Sequence, residues 1–146
     1  FVPTADQARS PLLFDQVAVG DEAPSTSHRL TRTDLVMYAG ASGDHNPMHT
    51  DEVAAQAAGL PSVFGHGMFT MGLLGTALTN WAGIGNLASY RVRFTKQTWP
   101  DEVLTTRIVV TNKREEGGRR LVDVECSVAN ADGQVKVAGD AVAIAD

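Results

Sequence analysis

Apolar residues recur along this chain in two rhythms, and the change between them separates a mainly helical first half from a strand-forming second half. Phe14 to Asp21 reads as a short strand closed by a Gly20-Asp21 turn. Thr31-Arg32-Thr33-Asp34 offers N-cap residues for a helix through Leu35, Val36 and Tyr38 that stops near Gly40. A second short helix is predicted from Thr50 or Asp51 to Ala58, ending at Gly59 with Pro61 just beyond. Between them, Gly43 to His49 should be irregular, because a residue preceding proline, here Asn46, is pushed out of the helical region.

From Gly67 to Trp81 the chain is apolar on nearly every helical face, through Met68, Phe69, Met71, Leu73, Leu74, Ala77, Leu78 and Trp81. A helix of that kind needs cover all round. The second half supplies it. Ser89 to Phe94 alternates Arg91 and Arg93 against Tyr90, Val92 and Phe94, and Val103 to Thr111 is rich in β-branched residues. Leu121 to Val128 sets Val122, Val124, Cys126 and Val128 against Asp123, Glu125 and Ser127, and Gln134 to Ile144 follows a turn at Ala131-Asp132-Gly133. The expected fold is α+β: a long buried central helix wrapped by a curved, meander-like antiparallel sheet.

With 146 residues and 43% hydrophobic content, the chain suits one domain over 1–146, and residues 1–13 read as an extended N-terminal arm. No apolar run is long enough to span a bilayer, and no basic or apolar leader opens the sequence, so neither a membrane span nor a signal peptide is expected. Cys126 has no second cysteine to pair with, which fits a cytoplasmic setting, and its place on an apolar strand face reads as a small core residue. Seventeen acids against twelve bases give a net charge of −5, which argues against a nucleic-acid partner. Lys113-Arg114 and Arg119-Arg120 flank an acidic, glycine-containing tip and read as a solvated hairpin.

The chemistry concentrates in Asp44, Asn46 and His49. Pro47 prevents a simple helix across the segment, so a turn can present the carboxylate and the imidazole together, with Asn46 fixing the turn through its own side chain. Such a pair can move a proton near neutral pH, although the same residues also suit a plain capped turn. His45 and His49 stand four apart with Asp44, Asp51 and His66 nearby, but the intervening proline and the lack of a recognisable ligand set argue against a metal. Seventeen residues after His49, His66-Gly67-Met68 opens the long helix. Glycine there leaves a backbone N–H open to a developing negative charge, or simply allows tight packing.

The run Tyr38-Ala39-Gly40-Ala41-Ser42-Gly43-Asp44-His45-Asn46-Pro47-Met48-His49, followed by Ala55, resembles the signature of the MaoC-like (R)-specific enoyl-CoA hydratases. His66-Gly67-Met68, and Tyr90-Arg91-Val92-Arg93-Phe94 leading to Trp99-Pro100-Asp101-Glu102, resemble that family's later landmarks, and Phe14 to Asp21 resembles its start. The resemblance implies a hot-dog fold, catalytic Asp44 and His49, an oxyanion contact from the Gly67 N–H beside His66, and an Asn46 that shapes the loop and reaches substrate or water. The activity it implies is reversible hydration of trans-2-enoyl thioesters to (3R)-3-hydroxyacyl thioesters. No metal or redox cofactor is expected; CoA or an acyl carrier protein would carry the substrate. The chain is also similar to the catalytic subunit of the actinobacterial (3R)-hydroxyacyl-ACP dehydratase, so a homodimer or a heterodimer with another hot-dog subunit is expected. A hot-dog thioesterase and a non-catalytic acyl-binding subunit are the competing readings. Ala41 and Met48 stand where larger or branched aliphatics are usual, and Gly75 stands where some members place a serine that supports the aspartate, with Thr76 or Thr79 as substitutes if geometry permits.

Overall fold

Strict alternation in the central strands decides where the core lies. In the computed structural model, which describes residues 12–146, strand β3 (Val103–Glu116) pairs antiparallel with β4 (Arg119–Ala129), and β4 with β5 (Val135–Ile144). That register places Ile108 opposite Cys126, Val110 opposite Val124, and Val124 opposite Ala141, all buried on one face. The short β1 (Ser27–Arg29) and β2 (Leu87–Phe94) complete a five-stranded sheet in the order β1-β3-β4-β5-β2, so β1 and β2 form its edges. Residues 1–11 lie outside the description, and with them most of the expected arm.

Helix α3 (Gly67–Ala82) lies on the apolar face of the sheet, seating Leu74, Ala77, Leu78 and Ala82 against the strands. Truncating one of these leucines to alanine would cost about 2–5 kcal/mol, because the surrounding core closes such a gap only partly. Burial all round holds on the sheet side only. Met68, Gly72, Thr76 and Asn80, spaced four apart, form an open ribbon, and Met68 is 55% exposed.

Helix α1 runs Arg32–Ser42, two residues past the expected stop. Thr31 caps it in a capping box with Asp34, and Gly40 sits inside the helix, where glycine is tolerated at a cost. The stop is Gly43, whose φ of 77° is the left-handed turn that glycine allows. Helix α2 is short, Glu52–Ala57, capped by Asp51, which accepts from the Val53 and Ala54 N–H groups.

The strand expected over Phe14 to Asp21 is not formed. Phe14–Gln16 makes one 3-10 turn, and Asp21 Oδ2 takes the Ala18 N–H at 2.8 Å, which closes a second turn over Ala18 to Asp21. Contact with β3 is confined to a single bridge of Glu22 with Val109, flanked by the Gly20 and Ala23 N–H groups on the Val110 and Ile108 carbonyls and the Val110 N–H on the Asp21 carbonyl. Phe14 lies instead under Lys113 and Arg120, which face its ring at 4.4 and 5.5 Å. The basic residues of the β3–β4 hairpin are engaged further with Asp15, Glu115, Glu116 and Asp123, as suits a solvated tip.

Strand β5 carries one extra residue. Val135 pairs with Ala129 and Val137 with Val128, so Lys136 bulges out of the β4 ladder and two successive residues, Lys136 and Val137, are both buried.

Candidate active site

The site begins where α1 ends. Gly43 turns the chain out of the helix with its N–H on the Ala39 carbonyl at 3.0 Å, and Asp44 follows at once. The Asp44 N–H donates to Ser42 Oγ at 3.2 Å, and Asp44 Oδ1 accepts the Asn46 N–H at 3.3 Å. Asn46 Oδ1 in turn accepts the Met48 N–H at 3.1 Å and caps a single 3-10 turn, Pro47–His49. Asn46 therefore shapes the loop as expected, and Pro47 starts the turn that delivers His49 to the interior.

His49 Nδ1 lies 2.6 Å from the Phe64 carbonyl oxygen. A carbonyl oxygen only accepts, so Nδ1 carries the proton and, in the neutral ring, Nε2 keeps its lone pair. That lone-pair nitrogen stands 3.8 Å from Asp44 Oδ2. The distance is too long for a direct hydrogen bond and within the span that one water can close at about 2.8 Å to each atom. The imidazole is buried while the carboxylate is 53% exposed, so the pair joins interior to entrance.

His66 lies behind them. Its ring stacks on His49 with centroids 3.8 Å apart and planes 30° from parallel, and the Tyr38 ring packs tilted against it with centroids 4.9 Å apart. His66 Nε2 donates to the Asp44 backbone carbonyl at 3.1 Å, which leaves Nδ1 buried without a hydrogen-bond partner. Burial pushes the His66 imidazole below the ordinary histidine range; the Asp44 carbonyl opposes that shift and the neighbouring His49 ring adds to it. His66 thus serves as a neutral strut between α3 and the acid loop.

Asp44, His49 and His66 bring donor atoms within 4.8 Å of one another, the one such group among the described residues. The two rings are stacked, so their in-plane lone pairs run side by side rather than converging on a point. His66 Nε2 is also already committed to a carbonyl. His45 is exposed and stands outside this group.

Gly67 opens α3, and its N–H points out of the helix without an intrahelical acceptor. Beside it a cleft of about 310 Å³ is lined by Phe64, Gly65, Gly67, Thr70, Phe94 and Thr98 among others. The hydroxyls of Thr70 and Thr98 are buried there with no partner, so this wall holds unspent polar capacity. A Cβ on Gly67 would come to 3.1 Å from the Phe94 ring, a tight contact that would push the aromatic wall outward by a few tenths of an ångström.

Gly75 leaves no serine to support the aspartate, and its neighbours do not replace one. Thr76 donates to the Gly72 carbonyl and Thr79 to the Gly75 carbonyl, both within the helix. Gly75 instead faces the Tyr90 ring, whose hydroxyl ties β2 to the Met71 carbonyl at 2.9 Å. Arg91 pairs with Asp140 at 2.9 Å on the outer face of the sheet. Sequence reasoning missed the Phe64 carbonyl, since any residue supplies a carbonyl. It also missed Thr70 and Thr98, which carry no motif.

A family model described as MaoC like domain matches residues 16–132. The chain is 41% identical over 107 residues to 3-hydroxyacyl-thioester dehydratase Y of Mycobacterium tuberculosis, covering 70% of this chain and 35% of that protein. It is 27% identical over 130 residues to the (R)-specific enoyl-CoA hydratase of Rhodospirillum rubrum, covering 88% of each. In structure it is similar to the R-hydratase PhaJ1 of Pseudomonas aeruginosa, with a TM-score of 0.81 and 25% identity over 90% of this chain and 84% of that one. This likeness establishes the hot-dog arrangement of sheet and helix. The chain spans only about a third of the length of the mycobacterial dehydratase.

Proposed function

Because the chain belongs to the MaoC-like domain family, we propose that it hydrates trans-2-enoyl thioesters to (3R)-3-hydroxyacyl thioesters and catalyses the reverse dehydration. The observation that carries this reading is the pair of proton acceptors, Asp44 Oδ2 and His49 Nε2, set 3.8 Å apart, with the His49 ring stacked on His66, the residue that precedes Gly67 at the start of α3. A water held between the two acceptors directs both its protons at them and leaves a lone pair free to point outward, toward C3 of the substrate. As the C3–O bond forms, the C2–C3 π electrons move into the thioester carbonyl, whose oxygen gains negative charge against the Gly67 N–H and the positive end of α3. The pair takes one proton from the water, and C2 receives one as the carbonyl re-forms, so the product is substrate plus water. Asp44 and His49 act as one unit in these transfers.

The thioester itself acidifies C2, so the reaction requires neither a metal nor a redox cofactor; CoA or an acyl carrier protein enters only as the carrier. Second-subunit pairing, with a like chain or another hot-dog chain, is part of the same reading. It is supported by the open edge of β2 and by Phe94 and Met68, apolar side chains left 52% and 55% exposed around Gly67. A cytoplasmic setting is proposed with it, on the free and buried Cys126. No helix among the described residues is long and apolar enough to cross a membrane.

The test is loss of enoyl absorbance with crotonyl-CoA and a longer enoyl-CoA, run on the wild type beside Asp44→Asn and His49→Ala. Hydration that falls about a hundredfold or more in both variants supports the reading. Release of free thiol from saturated acyl-CoA, with no hydration, would replace it with a thioesterase. Tight binding of enoyl thioester without turnover, alone or with a partner subunit, would replace it with an acyl-binding role.

A further inference from the structure

Lys136 is among the largest fully buried side chains of the described residues, 1% exposed, and it has no part in the chemistry above. The β5 bulge explains how a lysine comes to be inside, since the extra residue re-aims one side chain across the ladder. Its ammonium donates to the Gln97 carbonyl at 2.9 Å and to Glu102 Oε1 at 2.8 Å, while its own carbonyl accepts the Thr95 N–H at 2.9 Å. Glu102 also accepts from the Trp99 N–H at 2.9 Å and from Asn130 Nδ2 at 2.8 Å. The segment from Thr95 to Glu102, which joins β2 to β3, is therefore tied at its start to the Lys136 backbone and held at its middle and end by the ion pair of the Lys136 and Glu102 side chains.

The middle of that segment meets the active site. The Thr98 carbonyl accepts the Gly65 N–H at 2.8 Å, and Trp99 packs edge-on against the Phe64 ring at 6.1 Å. A Cβ on Gly65 would overlap the Thr98 hydroxyl, so the two stretches are in full contact. Phe64 then presents the carbonyl that takes the His49 Nδ1 proton.

We propose that Lys136 and Glu102 are positioning residues for His49: through the Thr95–Glu102 segment they fix the Phe64 carbonyl, which sets the tautomer and aim of the His49 ring. This assignment rests on the proposed role of His49 only for its kinetic consequence. The tautomer itself can be read without turnover. A buried charge pair is an expensive way to gain stability alone, because desolvation offsets most of the attraction, whereas it specifies one geometry well.

Three variants test it: Lys136→Met, Glu102→Gln and the two combined, the last leaving no unpaired buried charge and so folding even if the single changes do not. Long-range nitrogen–proton NMR on the histidine rings should show His49 as the Nδ1–H form in the wild type and a mixture of tautomers in the variants. In the hydration assay kcat should fall about tenfold to a hundredfold with little change in KM, the scale expected for a small displacement of a reacting group. The acid limb of the pH profile should move as well. Val122→Ala, a core truncation at the far end of β4, should lower the melting temperature while leaving kcat and the His49 tautomer unchanged. If the clamp variants lose melting temperature but keep the wild-type tautomer, pH profile and kcat per folded site, the pair is structural only and the proposal is overturned. Wild-type protein without hydratase activity would defeat the function proposed above, and the tautomer measurement would still decide this one.

Discussion

His49 gives its Nδ1 proton to the Phe64 carbonyl at 2.6 Å, and that single bond determines that the ring faces Asp44 with a lone pair. Two acceptors opposite one another repel in the absence of a shared proton source. A molecule that donates twice, such as the water of the proposed reaction, fits between them.

Replacing Asp44 with asparagine keeps the shape and swaps one acceptor for a donor. Because Asp44 is half exposed and its N-terminal neighbours hold the loop, the melting temperature should stay within about 2 °C, in line with the small effect of most surface changes. Activity should fall about 10²- to 10⁴-fold. A kinetic assay beside a thermal melt separates the two effects, and a large loss of stability would contradict this account of the loop.

His66 gives a pH dependence with a definite sign. Its folded pKa lies below the ordinary 6.5, so between the two values the unfolded chain binds more protons than the folded one. The stabilising contribution is complete above the ordinary value and declines as pH falls through that window. Denaturation midpoints should therefore drop from pH 7 toward pH 5, and His66→Gln should flatten that slope. An unchanged slope in the variant would assign the acid limb to other groups.

Gly139 faces the Arg91 carbonyl across the β5–β2 pairing, where any Cβ would overlap the backbone of the opposite strand. Gly139→Ala should destabilise the protein by about 1–3 kcal/mol through overpacking, measurable by urea unfolding. Gly75→Ser is the contrast. Its Cβ would meet Tyr90 at an ordinary 3.4 Å, and the change should alter stability by less than about 1 kcal/mol.

Burial pushes the Cys126 thiol up to about 11, with Asp140 adding to it. Thiolate is the reactive form, so iodoacetamide at pH 7.5 should leave the folded protein unlabelled and modify it only as it unfolds. Rapid labelling under native conditions would show that the β4–β5 region opens locally.

The second half of the fold was legible because alternation there has one meaning: Val122, Val124, Cys126 and Val128 can all be buried only as a strand. The Asp44–His49 loop was legible too, since Pro47 and Asn46 have strong local preferences. Phe14 to Asp21 was misread because Asp21 satisfies a backbone N–H that a ladder would otherwise have used. The end of α1 was placed two residues early, because Gly40 and Gly43 look alike in sequence and only the second adopts a positive φ. The Phe64 carbonyl and the buried Lys136 were invisible for a different reason. A carbonyl belongs to every residue, and a lone lysine in a strand ordinarily faces water.

The bulge at Lys136 also bears on how this chain can change in length. Val135 and Val137 already pair with adjacent residues of β4, Ala129 and Val128, so the ladder runs past Lys136 as though it were an insertion. Deleting that one codon would close the ladder into an unbroken strand with every side chain of β5 still on its proper face. A deletion at this point should therefore keep the β4–β5 register and be felt in the Thr95–Glu102 segment, whereas the same deletion elsewhere in β5 would turn the remaining strand inside out.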